Sequence, residues 1–164
     1  MTKVFLLIIS SLLMFSCNQE QTNNTAQLEG KIKLLEERLN NSYSPGFGDL
    51  MGSIQNHHAK LWFAGTNENW KLAEFEIHEI QEALEDIKKF NSNRPETQSI
   101  AMINPAMDSI INAITQKNPQ QFKSSFNLLT NSCNSCHQAT KHEFNVITIP
   151  TEPPFSNQDF KPKK

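Results

Sequence analysis

Two cysteines and a histidine lie together near the carboxyl end of the chain. Cys133 and Cys136 are separated by two residues and His137 follows directly, in the string NSCNSCHQATKHEF. Two thiols one helical turn apart can both form thioether bonds to one porphyrin, and the adjacent imidazole can then bind its iron. The spacing C-x-x-C-H is typical of covalent haem attachment. We therefore expect one covalent haem c, attached at Cys133 and Cys136, with His137 as the proximal iron ligand.

Three other uses of these residues fit the pattern less well. A thioredoxin-like dithiol follows a strand at the start of a helix, and no strand pattern precedes Cys133. A structural zinc site needs four ligands. Cys133, Cys136, His137 and His142 could supply them on paper, although the two histidines lie on poorly converging faces of one helix. A disulfide between Cys133 and Cys136 is strained within a helix.

The composition bounds the rest of the chain. With 164 residues, 37% hydrophobic and 20% charged, and a formal charge of −2, it suggests one soluble domain with appendages. There is no basic surplus, so we expect no nucleic-acid partner. Five glycines and one tyrosine are poor ingredients for a sheet. The abundant Leu, Ile, Glu, Lys and Gln favour helices, and an all-α fold is expected.

The amino-terminal residues have the layout of an export signal. MTKVFLLIISSLLMFSC carries Lys3, an apolar run too short to span a bilayer comfortably, and Ser16 before Cys17. This ending resembles the lipobox of bacterial lipoproteins, in which Cys17 becomes the lipidated first residue. The alternative is cleavage elsewhere, with Cys17 discarded. Residues 1–17 therefore predict export to the periplasm or cell envelope, with a lipid anchor in a membrane at Cys17.

Two further segments flank the expected domain. Residues 18–25 are polar and without periodicity, which predicts a tether. Residues 26–42 predict a short amphipathic helix with apolar residues at alternating spacings of four and three. That helix either joins copies as a coiled coil, giving a homo-oligomer, or packs on the main domain. The tail 145–164 has four prolines and cannot be helical; it either extends across a haem edge or is mobile.

The intervening residues 46–144 repeat a helical pattern four times. Apolar stripes predict helices at about 47–64 and 69–90, a third helix to about Lys117, and a fourth that carries the C-x-x-C-H motif. Asn104-Pro105 and Asn118-Pro119 each offer an N-cap followed by proline, which predicts the starts of the third and fourth helices. Short loops favour an antiparallel, up-down-up-down four-helix bundle. The start of the first helix and the end of the fourth then meet at one end.

This pattern resembles the class II c-type cytochromes, the cytochrome c-prime-like family. The resemblance covers roughly residues 46–144 and rests on four helices, the carboxyl-terminal CNSCH and a candidate ligand early in the first helix. MGSIQNHHAKLWFAG and NWKLAEFEIHEIQEALEDI also look like segments of small exported bacterial proteins that carry this motif. Residues 26–40 and 145–164 depart from the family pattern.

The residue opposite His137 separates an electron carrier from a gas binder. Six-coordinate members of the family draw a methionine from the position that Met51 occupies, so the resemblance implies Met51 as the sixth ligand. Met107 is the second choice, at the same end by topology. His58 lies two turns deeper, which favours a core or distal-pocket role, and an open site is the remaining alternative. Arg94 is a candidate partner for a haem propionate, or else a solvated loop residue.

These expectations together predict a membrane-tethered monohaem cytochrome that passes single electrons to transient redox partner proteins at the cell envelope. No substrate pocket or general acid or base is implied, so we expect no enzyme. A haem-based binder of nitric oxide or another diatomic gas is the first alternative. An envelope scaffold in which haem only stabilises a small bundle is the second.

Overall fold

The computed structural model describes residues 17–42 and 44–163, and within these ranges it is helical without strands. The helices are α1 Cys17–Ser42, α2 Phe47–Thr66, α3 Trp70–Phe90, α4 Asn104–Thr115 and α5 Pro119–Ala139, with a 3₁₀ helix, Pro95–Ile103, before α4. The prediction of an all-α protein is confirmed. The predicted signal in residues 1–16 and the side chain of Cys17 lie outside the described part of the chain.

Helix α1 belongs to a unit separate from residues 45–164. It begins at Cys17, so residues 18–25, expected as a tether, are helical. The polar run NQEQTNNT contains neither proline nor glycine, and the downstream helix therefore extends through it. Leu28, Ile32 and Leu35 are each more than half exposed. No helix in the described ranges is long and apolar enough to cross a membrane.

The core of the second unit lies among α2, α3, α4 and α5. Helix α2 packs along α3, and α5 packs along α4 and the 3₁₀ helix. The inward stripes predicted from the sequence meet there, and the largest fully buried apolar side chains are Leu61, Ile80, Ile87, Ile110, Phe122, Phe126 and Leu129. Truncating one such side chain to alanine typically costs about 2–5 kcal/mol of stability. This packing positions the end of α5.

The two Asn-Pro pairs behave differently at their helix starts. The Asn118 side chain accepts hydrogen bonds from the amides of Gln120 and Gln121 at 3.2 and 3.1 Å, so the predicted N-cap of α5 is confirmed. Asn104 is already helical, with φ −53° and ψ −46°, and Ile103 takes the cap position without a side-chain hydrogen bond. The 3₁₀ helix runs directly into α4 and leaves no extended residue there to act as a cap. The predicted Asn104 cap is therefore wrong.

That 3₁₀ helix is not predicted from the sequence. The apolar stripes predict no helix between residue 90 and Asn104, yet nine residues from Pro95 to Ile103 are helical. Ile100 and Ile103 are buried in the core. Runs of 3₁₀ helix this long are uncommon, and burial of these two isoleucines stabilises this one.

One acidic residue of α3 is buried rather than solvated. Glu76 is 1% exposed, and its Oε2 lies 2.6 Å from His57 Nδ1 on α2. Its Oε1 has no hydrogen-bond partner among the described residues. Burial of polar oxygen atoms is costly unless they are hydrogen-bonded, so the contact with His57 stabilises the buried position of Glu76. The pair therefore connects α2 to α3 through two polar side chains within the packed interface.

The carboxyl-terminal segment after α5 has no regular structure but is docked. Ile149 packs against the core, and Phe160 is 5% exposed. The Phe160 ring lies 5.6 Å from that of Phe63, and its carbonyl accepts a hydrogen bond from Asn69 Nδ2 at 3.2 Å. Residues 140–163 therefore run from the end of α5 to the turn between α2 and α3.

Gly65 provides a test of the packing between α2 and α5. A Cβ at Gly65 would overlap the Phe122 ring, which is fully buried in the core, so the ring or the helix would have to shift. We expect Gly65→Ala to lower the free energy of unfolding by about 1–3 kcal/mol. Gly52→Ala in the same helix is the control. It meets nothing within 4 Å, and we expect it to raise the stability by about 0.5–1 kcal/mol. Chemical denaturation measures both, and equal effects would contradict the packing described.

Candidate functional site

A cavity of about 260 Å³ lies at the end of the second unit where α2 begins and α5 ends. It collects five of the residues predicted for the site: Met51, His58, Cys133, Cys136 and His137. Apolar walls come from Ile54 of α2, Leu84 of α3, Ile100 and Ile103 of the 3₁₀ helix, and Ile147 of the tail. Residues far apart in the chain are thus brought to one concave, largely apolar surface, the usual character of a ligand site.

Cys133 and Cys136 face this cavity as free thiols. Burial, with a smaller contribution from the neighbouring Cys136, raises the pKa of the Cys133 thiol to about 11. Burial also raises the pKa of Cys136. Dithiols that exchange disulfides lie at the start of a helix and have lowered pKa values. Here the pair lies in the last two turns of α5 with raised values, and this environment disfavours the dithiol alternative.

The His137 imidazole is held through one of its two ring nitrogens. Its Nδ1 lies 2.6 Å from the backbone carbonyl oxygen of Asn145. A carbonyl only accepts, so Nδ1 carries the proton and donates. Nε2 is therefore the nitrogen with a free lone pair, the form in which an imidazole binds a metal. The sequence analysis did not predict Asn145, because a backbone acceptor eight residues away has no residue-type signal.

The start of the tail forms one wall of the cavity. Asn145 and Ile147 line it, whereas Phe144 and Val146 are largely exposed. The Asn145 amide donates to the His142 carbonyl at 2.9 Å, which closes a turn there, and residues 146–150 after it have no regular structure. The start of the tail therefore lies beside the site, and its extension across a haem edge stays a prediction.

The methionines differ in their relation to the cavity. Met1 and Met14 lie outside the described residues, which leaves Met51, Met102 and Met107. Met51 lines the cavity and is half-buried against the core. Met107 is buried within the core away from the lining, and Met102 is 45% exposed. Among these three, only Met51 lines the cavity together with His137.

His58 is buried and reaches the same cavity from α2. Its Nε2 lies 2.9 Å from Thr130 Oγ1, and that hydroxyl donates its own proton to the carbonyl of Phe126 at 2.9 Å. Thr130 must therefore accept from His58, so Nε2 carries the imidazole proton and Nδ1 carries the lone pair. Burial lowers the pKa of His58 to about 4. A neutral, hydrogen-bonded imidazole thus lies beside the predicted ligands.

Arg94 is outside the cavity lining. Its guanidinium forms an ion pair with Glu96 at 2.9 Å and lies 4.9 Å from the centre of the Phe47 ring. The hydrogen bond from Arg94 lowers the pKa of Glu96 to about 2. These contacts fix Arg94 on the surface near the beginning of α2, and its predicted role at a propionate stays a prediction.

The residues of the cavity fit a haem better than a directly bound metal ion. In the described part of the chain no three His, Cys, Asp or Glu side chains converge to hold an ion. The zinc set of Cys133, Cys136, His137 and His142 is therefore not assembled. A porphyrin supplies four nitrogen ligands of its own, so haem needs two attachment thiols, one imidazole and apolar walls. All of these are present around the cavity.

Comparison of the chain with protein-family models, with curated proteins and with solved structures finds no match in any of the three. The resemblance to class II c-type cytochromes therefore stays a prediction from the sequence.

The buried His58 predicts a pH dependence of stability. Its folded-state pKa of about 4 is below its ordinary value of 6.5, so the unfolded chain binds more protons between these values. Stability contributed by neutral His58 is therefore lost as the pH falls from ~6.5 to ~4, by up to about 3 kcal/mol. Urea denaturation of the wild type and of His58→Gln over this range measures it. The variant is expected to lose less stability on acidification, and parallel pH profiles would contradict the assignment.

Proposed function

We propose that this protein is an exported monohaem c-type cytochrome that carries single electrons at the cell envelope. The observation that supports this most is the convergence of two free thiols, His137 and Met51 on one apolar cavity. A bound haem would supply the one-electron couple of its iron. Cys133 and Cys136 would form the two thioether bonds, and His137 Nε2 would bind the iron from the same helix.

The walls of the cavity would give such a group the surroundings of an electron carrier. Ile54, Leu84, Ile100 and Ile103 exclude water from one side, and a low-dielectric shell is one of the ways in which a protein sets a haem potential. The cavity volume of about 260 Å³ is near the lower end for small-molecule sites. A macrocycle held there would keep one edge outside the protein, where transient partner proteins exchange electrons with it.

Met51 supports the carrier over the gas binder. A thioether bound opposite His137 leaves no open coordination position. Binding of nitric oxide or another diatomic gas is the second candidate function. It is supported by His58, a buried, neutral imidazole that lines the same cavity beside the predicted ligands.

The proposal includes the arrangement and location predicted from the sequence. The order of packed helices supports an up-down-up-down bundle for α2 to α5. Thioether attachment takes place outside the cytoplasm, and the leader with Cys17 would supply both export and a lipid anchor in the membrane. In this proposal the protein is not an enzyme.

Substitution of the thiols tests the attachment. We expect Cys133→Ala and Cys136→Ala each to retain at most one thioether bond, and the double variant to carry no covalent haem. Mass spectrometry of the denatured proteins, made in a host that matures c-type cytochromes, measures this. Ser132→Ala, which changes a neighbouring cavity-lining residue without sulfur, is the control and should keep its haem. Covalent haem in the double variant would contradict the proposal.

Substitution of Met51 tests the sixth ligand. We expect Met51→Ala to lose the low-spin absorption spectrum of the wild type and to bind carbon monoxide readily, because the thioether that would bind the iron is removed. Met102→Ala removes an exposed methionine outside the cavity and should leave the spectrum unchanged. A wild type that is already high-spin and binds carbon monoxide would favour the gas-binding function instead.

A further inference from the structure

Asn134, one of the two unspecified residues of the C-x-x-C-H motif, forms two hydrogen bonds with the backbone of the tail. Its Nδ2 donates to the carbonyl oxygen of Ile147 at 2.8 Å, and the amide of Ile147 donates to Asn134 Oδ1, also at 2.8 Å. Both polar groups of the side chain are thus matched with both polar groups of one backbone residue. Two reciprocal hydrogen bonds fix orientation as well as distance. We call this pair of hydrogen bonds the Asn134–Ile147 clamp.

The clamped residue is two positions from the acceptor of the iron ligand. Asn145 supplies the carbonyl that accepts from His137 Nδ1 at 2.6 Å. Asn134 and His137 are three residues apart and therefore lie on neighbouring positions of the same helix face. The tail is in this way attached to that face at two points, one at each of these side chains.

The chain between the end of α5 and Ile147 has little regular structure of its own. Lys141 has a left-handed φ of 62°, and a hydrogen bond of 2.7 Å from the His142 amide to the His137 carbonyl closes the turn after α5. Phe144 and Val146 are largely exposed and contribute little buried area. The amide of Asn145 itself donates to the His142 carbonyl at 2.9 Å. The position of the Asn145 carbonyl is therefore set by this turn on one side and by the Asn134–Ile147 clamp on the other.

We propose that Asn134 is a positioning residue for the iron ligand His137. This inference rests on the proposed haem. The clamp holds the Asn145 carbonyl where it accepts the Nδ1 proton, which fixes the ring orientation and the tautomer with a free Nε2 lone pair. A firm hydrogen bond at Nδ1 would also make Nε2 a stronger electron-pair donor to the iron, and stronger electron donation would stabilise the oxidised iron. Loss of the clamp weakens that hydrogen bond and raises the midpoint potential.

The motif contains its own control. Ser135 is the other unspecified residue, is exposed, and donates its hydroxyl to the Asn131 carbonyl of the same helix at 2.9 Å. Ser135→Ala therefore changes the motif by one residue without touching the tail. Asn134→Ala removes the clamp, and Asn134→Gln keeps both polar groups on a longer stem.

The experiment uses the full haem-loaded chain and two measurements. The hydrogen-exchange rate of the Ile147 amide reports whether the clamp is formed. Potentiometric titration gives the midpoint potential, which reports the environment of the iron ligand. For Asn134→Ala we expect faster exchange at Ile147 and a midpoint potential above that of the wild type. For Asn134→Gln we expect smaller changes in the same directions. Ser135→Ala should match the wild type in both measurements.

The outcomes separate this inference from the proposed function. Variants that all carry haem but share one midpoint potential would overturn the role of Asn134 and leave the cytochrome intact. Equal shifts in Asn134→Ala and Ser135→Ala would overturn it as well. A wild type without haem would overturn the proposed function and this inference with it. Should Asn134→Ala fail to accumulate, the comparison of Asn134→Gln with Ser135→Ala decides, and identical potentials in those two overturn the inference.

Discussion

The packing of α5 is the constraint on which the rest of the site depends. Phe122, Phe126 and Leu129 are almost completely inaccessible to water, and they occupy one face of this helix at spacings of four and three residues. Together they fix the rotation and the height of α5 in the core. The same face continues into Cys133 and Cys136. The thiols therefore face the cavity because Phe126 and Phe122, about two and three turns before Cys133, hold the helix in one rotation, and the site is built as an extension of the core.

Hydrogen bonds fix the side-chain orientations that the apolar packing of α5 leaves undetermined. Apolar burial is non-directional, whereas a hydrogen bond fixes the orientation of a ring or an amide. His58 is anchored by Thr130 of α5, and His137 by the carbonyl of Asn145 in the tail. Each histidine thus presents one defined ring nitrogen. The tail is rich in proline and has no regular backbone hydrogen bonding of its own. Its contacts with α5 fix its position, and the tail in return orients the His137 imidazole that α5 carries.

The sequence was sufficient for features that depend on local pattern, and insufficient where distant segments decide. Helical periodicity predicted α2 to α5 and the residues that meet at the cavity, because one face of each helix must be buried. Asn104 and Asn118 show the limit, since both precede proline and only Asn118 caps a helix. Glu76 lies on a helix rich in acidic residues, and its burial depends on a contact with His57, nineteen residues earlier in the chain, which no local pattern indicates. The contacts of Asn134 and Phe160 join segments that share no periodic signal, so no local rule could find them.

The covalent attachment of a porphyrin is the central claim, and the mass of the denatured wild-type chain tests it most directly. Protein purified from the envelope of a host that matures c-type cytochromes is unfolded and weighed, so that any loosely bound pigment is removed. The account predicts the mass of the processed polypeptide, with its lipid where Cys17 is modified, plus that of one haem. A colourless chain whose mass equals the processed polypeptide with or without lipid would contradict it.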